Sequence, residues 1–357
     1  MGRKATAQDV AELAGASRSA VSMVFNGRAD GNVAKGTQER IREAAAQLHY
    51  SPNQVARSLR GRSSHVIGLV SNTAVTSPFG GEIIAGANAL ARRFGYLTFA
   101  VDTARDEGRT EDAVRTLLDR TVDGLLFVMS GLNALKVPDG FRRVPSALAN
   151  CYPDPGIPDE QPPPAFIPDE VRGGLDATRH LIRLGHTRIA FLGGSRTTPA
   201  ASWRALGFRQ AMAEAGLTVV DSWIRYAGWD IDAGHAVARE VLDRPRDERP
   251  TALIAANDRA AVGMVLAANA LGLRVPDDLS IVGYDDERRV ADRMVPALTT
   301  LALPLYRMGE EAMLSVLLSL GVDAGEPCDY PLREGAPSVR LVPCALTVRG
   351  STGSPRP

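Results

Sequence analysis

Cysteine is scarce in this 357-residue chain: Cys151, Cys328 and Cys344 are the three copies. An odd number, widely spaced and without paired metal-ligand spacing, excludes a disulfide framework and a structural zinc site, so all three read as reduced, buried and inert. Long apolar runs are also missing. Nothing reaches the roughly 18 residues of a membrane span, and Asp9 and Glu12 interrupt the N-terminal stretch that a signal peptide would keep apolar. A cytoplasmic protein without membrane contact is expected. The catalytic signatures GxxxxGKS/T, GxSxG, HExxH and GxGxxG do not occur. Gly193-Gly194-Ser195 is a lone turn without a phosphate-binding signature. Asp285 and Asp286 are adjacent, and on a strand they point to opposite sides, so they are not a catalytic pair. No enzyme, cofactor or metal site is expected.

Net charge is likewise absent, with 41 Lys and Arg against 41 Asp and Glu, but it is unevenly spread. Residues 1–62 hold 10 basic and 5 acidic residues, and the remainder 31 and 36. Affinity for a polyanion therefore belongs to the head, as in a module that neutralises backbone phosphates.

Within that head, Thr6 to Asn26 reads as two short amphipathic helices. Apolar residues fall at Val10, Leu13 and Ala14 in the first and at Val21, Val24 and Phe25 in the second, a stripe with helical period. Thr6 caps the first helix, with Asp9 as the acidic partner of a capping box. Gly15 supplies the positive φ of a tight turn and Ser17 caps the second helix. Such a short connection makes the helices cross steeply and leaves Arg18, Ser19 and Met23 outward, as candidate base readers in a major groove. A third helix, striped at Ile41, Ala44, Ala45 and Leu48, closes the core. Tyr50-Ser51-Pro52-Asn53 ends it, and NQVARSLR, 53–60, is a two-turn helix too short to stand alone in water.

The head, from DVAELAGAS through VSMVFN and YSPNQVARSL, resembles the lactose-repressor (LacI/GalR) family of bacterial transcription regulators. The resemblance implies that Arg18, Ser19 and Met23 face bases, that Ser17, Ser22 and Asn26 face phosphates, and that Asn53 to Arg60 is a hinge helix with Ala56 and Leu59 at the minor groove. Thr6 joins this DNA-facing set. Met23 stands where family members commonly carry arginine, which removes a bidentate guanine contact. The loop 27–36 is slightly long, and Ala34 occupies the place of a capping serine, so Thr37 is expected to cap instead.

From His65 onward, short apolar strands alternate with amphipathic helices, the pattern of parallel α/β sheets. Strands are expected at 65–70, 96–101, 123–128, 145–149, 188–193, 223–228, 251–256 and 279–284. Helices are expected near 80–94, 109–120, 172–185, 202–215, 232–243, 258–272 and 304–320. Two such halves would face each other across a cleft at the carboxyl ends of their strands. HLIRLGHTRIAFLGG, RALGFRQA, AANDRAAVG, VPDDLSIVGYDD, PALTTL and LTVRGST are similar to signatures of the same family, whose core has the periplasmic-binding-protein fold. The implied organisation is a helix-turn-helix head (1–52), a hinge (53–63), an N-lobe (64–167 with 299–328), a C-lobe (168–298 with 329–349) and a disordered tail (350–357).

The resemblance places Ser77, Phe79, Asn150, Asp169, Arg204, Trp229 and Asp285 at the cleft. Asp285 with Arg204 can hold vicinal hydroxyls, and Trp229 and Phe79 offer flat apolar faces. The alternatives are ordinary core packing for the two aromatics and a plain ion pair for the two charged residues. Gly80 replaces a second aromatic and Ser77 an asparagine of the family pattern. The expected protein is a dimeric repressor that binds a pseudo-palindromic operator in double-stranded DNA and is released by a small sugar or polyol. Rival readings are a regulator activated by a nucleobase co-repressor, and a sugar-binding protein without DNA activity. The chain end RGSTGSPRP carries no heptad, hence the expectation of a dimer. If residues 53–60 fold only on DNA, with Leu59 as the apolar wedge, Leu59→Ala will lose operator affinity and keep weak non-specific binding in a salt-controlled anisotropy titration. Equal operator affinity would contradict this.

Overall fold

The structure, a computed structural model, describes residues 5–25, 28–50, 63–104 and 106–356. The chain divides into a head ending at His65 and a larger body from Val66 to Pro357. The expected hinge helix, with Asn53, Ala56 and Leu59, and the residue Asn26 lie outside the described residues.

In the head, α1 (Ala7–Ala14), α2 (Arg18–Phe25) and α3 (Lys35–Gln47) surround a small core of Val10, Ala11, Ala14, Val21, Ile41, Ala44 and Ala45. Leu13 corrects the expected stripe: it is 51% exposed, and Ala11 takes the inward position. Val24, Phe25 and Leu48 are half-buried at the core's edge. Phe25 meets Tyr50 edge to face, with centroids 5.7 Å apart. Thr37 is not a cap. The third helix starts three residues earlier, behind Ala34, which caps it without a side-chain bond.

The body holds two sheets. The N-lobe sheet has seven strands, in the order β11-β12-β5-β4-β3-β1-β2. Its members are β1 (Val66–Ser71), β2 (Leu97–Asp102), β3 (Gly124–Leu135), β4 (Ser146–Pro153), β5 (Ala165–Pro168), β11 (Leu332–Arg333) and β12 (Ala336–Val342). The six-stranded C-lobe sheet runs β13-β10-β9-β8-β6-β7. It contains β6 (Ile189–Gly193), β7 (Ile224–Tyr226), β8 (Ala252–Ala255), β9 (Ser280–Asp285), β10 (Thr299–Ala302) and β13 (Ala345–Thr347). All pairings are parallel except β11 with β12 and β10 with β13. The central strands are buried on both faces, which is why they read as unbroken apolar runs.

Helices α4 (Pro78–Arg93), α5 (Glu107–Asp119) and α10 (Leu305–Ser319) belong to the N-lobe. Those of the C-lobe are α6 (Glu170–Arg183), α7 (Pro199–Glu214), α8 (Ile231–Leu242) and α9 (Asp258–Ala270). Three helix pairs are in backbone contact through glycine. A Cβ on Gly207 of α7 would strike the carbonyl oxygen of Val171, and one on Gly174 of α6 that of Arg204. The same reciprocal arrangement joins α4 to α10 and α8 to α9.

The lobe boundaries differ from those expected. Residues 299–302 pair with β9 and stay in the C-lobe, while β12 pairs with β5, and β11 with β12, in the N-lobe. The chain thus crosses between lobes near 169, 303 and 343. Strands as short as two to seven residues carry too little pattern to reveal these pairings. Cys328 also departs from expectation, being half-exposed beside Arg307, whereas Cys151 and Cys344 are buried.

The tail is ordered through Arg356, against the expectation of disorder. Ser351 is fully buried: its hydroxyl donates to the Ile281 carbonyl at 2.6 Å and accepts from the Thr299 amide at 2.8 Å. Thr352 bonds His180 at 3.0 Å, and the Gly353 carbonyl accepts from His186 at 2.9 Å. Small polar residues that resemble a linker in composition therefore complete the edge of β9. Ser351→Ala strips two buried backbone groups of their partner, a cost of about 1–3 kcal/mol, and removing residues 351–357 costs more. Thermal unfolding should show both losses in that order; a truncated chain as stable as the full one would contradict the role of the tail.

Candidate functional site

The head presents its reading helix through local chemistry. Thr6 accepts from the Asp9 amide while Asp9 accepts from the Thr6 amide at 2.7 Å, a complete capping box. Gly15 has φ 58°, which a side chain would oppose, and Ser17 accepts from the Ala20 amide at 3.1 Å. Ser17 and Thr6 thus have structural duties of their own. Arg18, Ser19 and Met23 are exposed on α2, and Ser22 is half-buried between them. Arg40 donates to the Ala14 carbonyl at 3.3 Å and ties α3 to the end of α1.

In the body, residues that follow the carboxyl ends of strands in both lobes meet one another. Arg259 on α9 lies 5.8 Å from the ring centre of Phe79, and Arg288 reaches Glu82 at 3.4 Å, both across the lobes. Trp203 on α7 stacks at a tilt on Tyr152 of β4, centroids 5.6 Å apart, with the Arg333 guanidinium 4.4 Å above its ring.

Arg204 does not do what its position in the sequence suggests. It is 3% exposed and gives Nε and one terminal nitrogen to Glu170 at 2.7 and 2.8 Å. The other terminal nitrogen goes to the Ala256 carbonyl at 2.6 Å, and the guanidinium lies flat on the Tyr284 ring, 3.5 Å from its centroid. Burial disfavours the charge, but the attraction of Glu170 exceeds that penalty and Arg204 stays protonated with a raised pKa. Asp285 is left 3.9 Å away, too far for a hydrogen bond. The expected Arg204–Asp285 couple is therefore mainly an Arg204–Glu170 couple. Glu170 was missed because an acidic residue in a first helical turn looks like a helix-end preference; the signal was the need of a buried arginine for a carboxylate.

Asp285 stands at the end of β9 with φ 106°, and its side chain is 7% exposed. Trp229 is half-buried, one face closed by Gly194, with the Arg204 guanidinium 5.7 Å from its ring centre. Phe79 is half-buried and Gly80 is wedged against Ala74, which leaves no room there for a larger residue. Ser77 precedes α4 without capping it. Asn150 is buried, with φ 57°, and donates to the Met129 carbonyl at 3.0 Å. Asp169 caps α6, accepting from Arg172 at 3.1 Å, and burial moves its pKa upward. Sequence reading also passed over Asn72, which accepts from Thr73 and Ser130, and the Asn257-Asp258-Arg259 turn opening α9. The described residues hold no cluster of metal-ligating side chains and no helix long and apolar enough to cross a membrane.

Residues 6–53 match the bacterial regulatory proteins of the lacI family, and 178–352 a periplasmic binding protein-like domain. The HTH-type transcriptional repressor PurR of Vibrio cholerae serotype O1 (strain M66-2) is 36% identical over 310 residues, which cover 86% of this chain and 89% of that protein. The chain belongs to the LacI family. The lac repressor dimer bound to operator and the anti-inducer ONPF is similar over 98% of this chain and all of its own, at 27% identity and TM-score 0.76. The transcriptional regulator CelR in complex with cellobiose is 30% identical over 97% of this chain and 99% of its own, with TM-score 0.62. The chain is thus a DNA-binding transcriptional repressor of that family and not an enzyme.

Asp258 makes the body sensitive to pH. It is buried, accepting from the Thr300 hydroxyl and the Glu287 amide at 2.6 Å each. Burial pushes its carboxyl up to about 7; those two bonds oppose the rise, and Asp286 and Glu287 add to it. The folded protein thus holds a proton that the unfolded chain releases near pH 4, so this group's contribution to stability falls as pH rises from about 4 to about 7, by at most about 1.4 kcal/mol per pH unit. Urea unfolding at pH 4.5 and 7.5 should show a smaller pH dependence for Asp258→Asn than for the wild type. An identical dependence would contradict the assignment.

Proposed function

We propose that the protein represses transcription as a homodimer whose two heads read a pseudo-palindromic operator, and that a sugar or similar polyol in the interlobe cleft releases it. One head spans a half-site, so two-fold symmetry is required, with half-sites about one helical turn apart. Arg18, Ser19 and Met23 read bases; Ser17, Ser22 and Asn26 hold phosphates; 53–60 carries the change in lobe angle to DNA. Met23, a thioether, offers no donor to guanine, so the operator differs at that base pair from one read by arginine.

The observation that supports the effector half is Asp285, a carboxylate that is 7% exposed and makes no side-chain hydrogen bond among the described residues, at the end of β9. Ring hydroxyls satisfy such an acceptor, and Trp229, half-buried, suits the C–H face of a pyranose. Asn150, Asp169, Ser77 and Phe79 complete this reading of the site. Cellobiose in the CelR complex supports it. A nucleobase effector is the second reading, favoured by the PurR relatives; Gly80, lacking an aromatic side chain, and the absence of a Phe79–Trp229 ring pair among the described residues weigh against a two-sided stack.

Asp285→Ala should bind a selected operator as the wild type does and respond to effector only at roughly 30- to 1000-fold higher concentration, since the lost bond to a buried group is worth about 2–4 kcal/mol. A thermal-shift screen of sugars and nucleobases, followed by operator-release assays, checks this. Hits confined to nucleobases would select the second reading, and a variant with wild-type response would remove Asp285 from the site.

A further inference from the structure

We propose a second ligand site, for a small oxyanion such as a phosphate group, in a recess at the amino-terminal ends of β6, β8 and β9. Asp285 and the cleft lie at the opposite end of β9, so this site stands apart from the effector reading.

Arg188 stands one residue before β6 and Thr251 one before β8, and with Arg246, Arg249 and the tail residue Arg356 they line the recess. Its inner room is about 30 Å³, and about 400 Å³ counting its open mouth, which admits a small ion seated at the mouth and keeps a sugar ring out of the interior.

Two acids also line it, and both are spent. Asp277 takes Arg356 at 2.8 Å and Arg274 at 3.3 Å; Asp278 takes Arg356 at 3.2 Å and Arg274 at 3.3 Å. Two carboxylates and two guanidiniums thus offset each other. His186 contributes no charge: its ring bonds Thr251, Ser280 and the Gly353 carbonyl, and burial lowers its pKa against the effect of the Gly353 bond.

What remains is cationic. Arg249 makes no hydrogen bond or ion pair among the described residues. Arg188 gives one terminal nitrogen to the Arg246 carbonyl at 3.2 Å, meets no carboxylate among the described residues, and keeps its Nε buried without a hydrogen-bond partner. A buried donor without an acceptor is costly, and guanidiniums gathered in one recess repel. An oxyanion relieves both, since its oxygens accept several N–H bonds from the planar fork of an arginine and its charge offsets the repulsion. A neutral polyol would leave the charges uncompensated, and a cation would add to them. Held between Arg188 and Arg249, the ion joins the segments that lead into β6 and β8, so that its binding stabilises the folded chain.

Calorimetric titration and thermal unfolding of the full chain with inorganic phosphate, at ionic strength held constant with sodium chloride, test this. The wild type should bind one phosphate per chain at this site, with an unfolding temperature that rises and then saturates. Because Arg249 has no partner among the described residues, Arg249→Gln should unfold at the wild-type temperature without phosphate and bind phosphate roughly tenfold or more weakly. Arg188→Met should weaken binding in the same way. Ribose 5-phosphate, titrated in parallel, separates the two sources of such a group: Arg249-dependent binding tighter than that of inorganic phosphate identifies a phosphate monoester as the ligand, and weaker binding identifies the free ion. No phosphate binding by the wild type, or binding that Arg249→Gln leaves unchanged, overturns the site.

Discussion

The C-lobe face of the cleft depends on one buried ion pair. Arg204 and Glu170 lie on α7 and α6, whose backbones touch because Gly207 and Gly174 carry no Cβ to hold them apart. Without that approach the guanidinium could not reach Glu170, the Ala256 carbonyl and the face of Tyr284 together. A charge so fully removed from water is tolerable only when its donors are met, and removing one partner of such a pair typically costs about 3–5 kcal/mol. The pair therefore fixes where β8, β9 and the two helices end relative to one another, and with them Asp285.

The division between satisfied and unsatisfied groups then separates scaffold from site. Glu170, Asp258, Asp286, Glu287 and Asn72 all have partners within the protein and shape the cleft. Asp285 makes no side-chain hydrogen bond among the described residues, and Trp229 of the C-lobe and Phe79 of the N-lobe are half-buried aromatics. Buried polar groups are ordinarily bonded, and an acceptor left open at the end of a parallel strand is the feature on which the proposed effector site rests. The head follows the opposite logic: its polar groups at helix ends are spent on capping, and the side chains left over on α2 are those that face outward.

Much of this was legible in the sequence because the signals are local. The Thr6–Asp9 box, Gly15 and Ser17 act within four residues of chain, and the buried parallel strands declare themselves as short apolar runs. The regularly spaced helices of both lobes follow from their apolar stripes. What escaped depends on partners far along the chain. β10, β12 and β13 are strands only because β9, β5 and β10 lie beside them, which is why residues 299–302 and 332–342 change lobes against expectation. Ser351 and Gly353 look like a linker until the edge of β9 offers them groups to bond. Leu13 and Ala11 could not be ranked by hydrophobicity, since the inward position went to the smaller residue where three helices converge. Arg204 was expected to pair with Asp285 and pairs mainly with Glu170, because the order of motifs along the sequence says nothing of which carboxylate is nearest.

The most direct test of this account is a double-mutant cycle at the pair itself. Urea unfolding of the wild type, Glu170→Gln, Arg204→Met and the double variant yields the coupling free energy between the two side chains. A buried, bidentate pair predicts a coupling of about 2 kcal/mol or more, so that the double variant loses less stability than the sum of the two single losses by at least that amount. Additive losses, with a coupling near zero, would show that the two side chains stabilise the fold independently, and would contradict the central place given to Arg204 and Glu170.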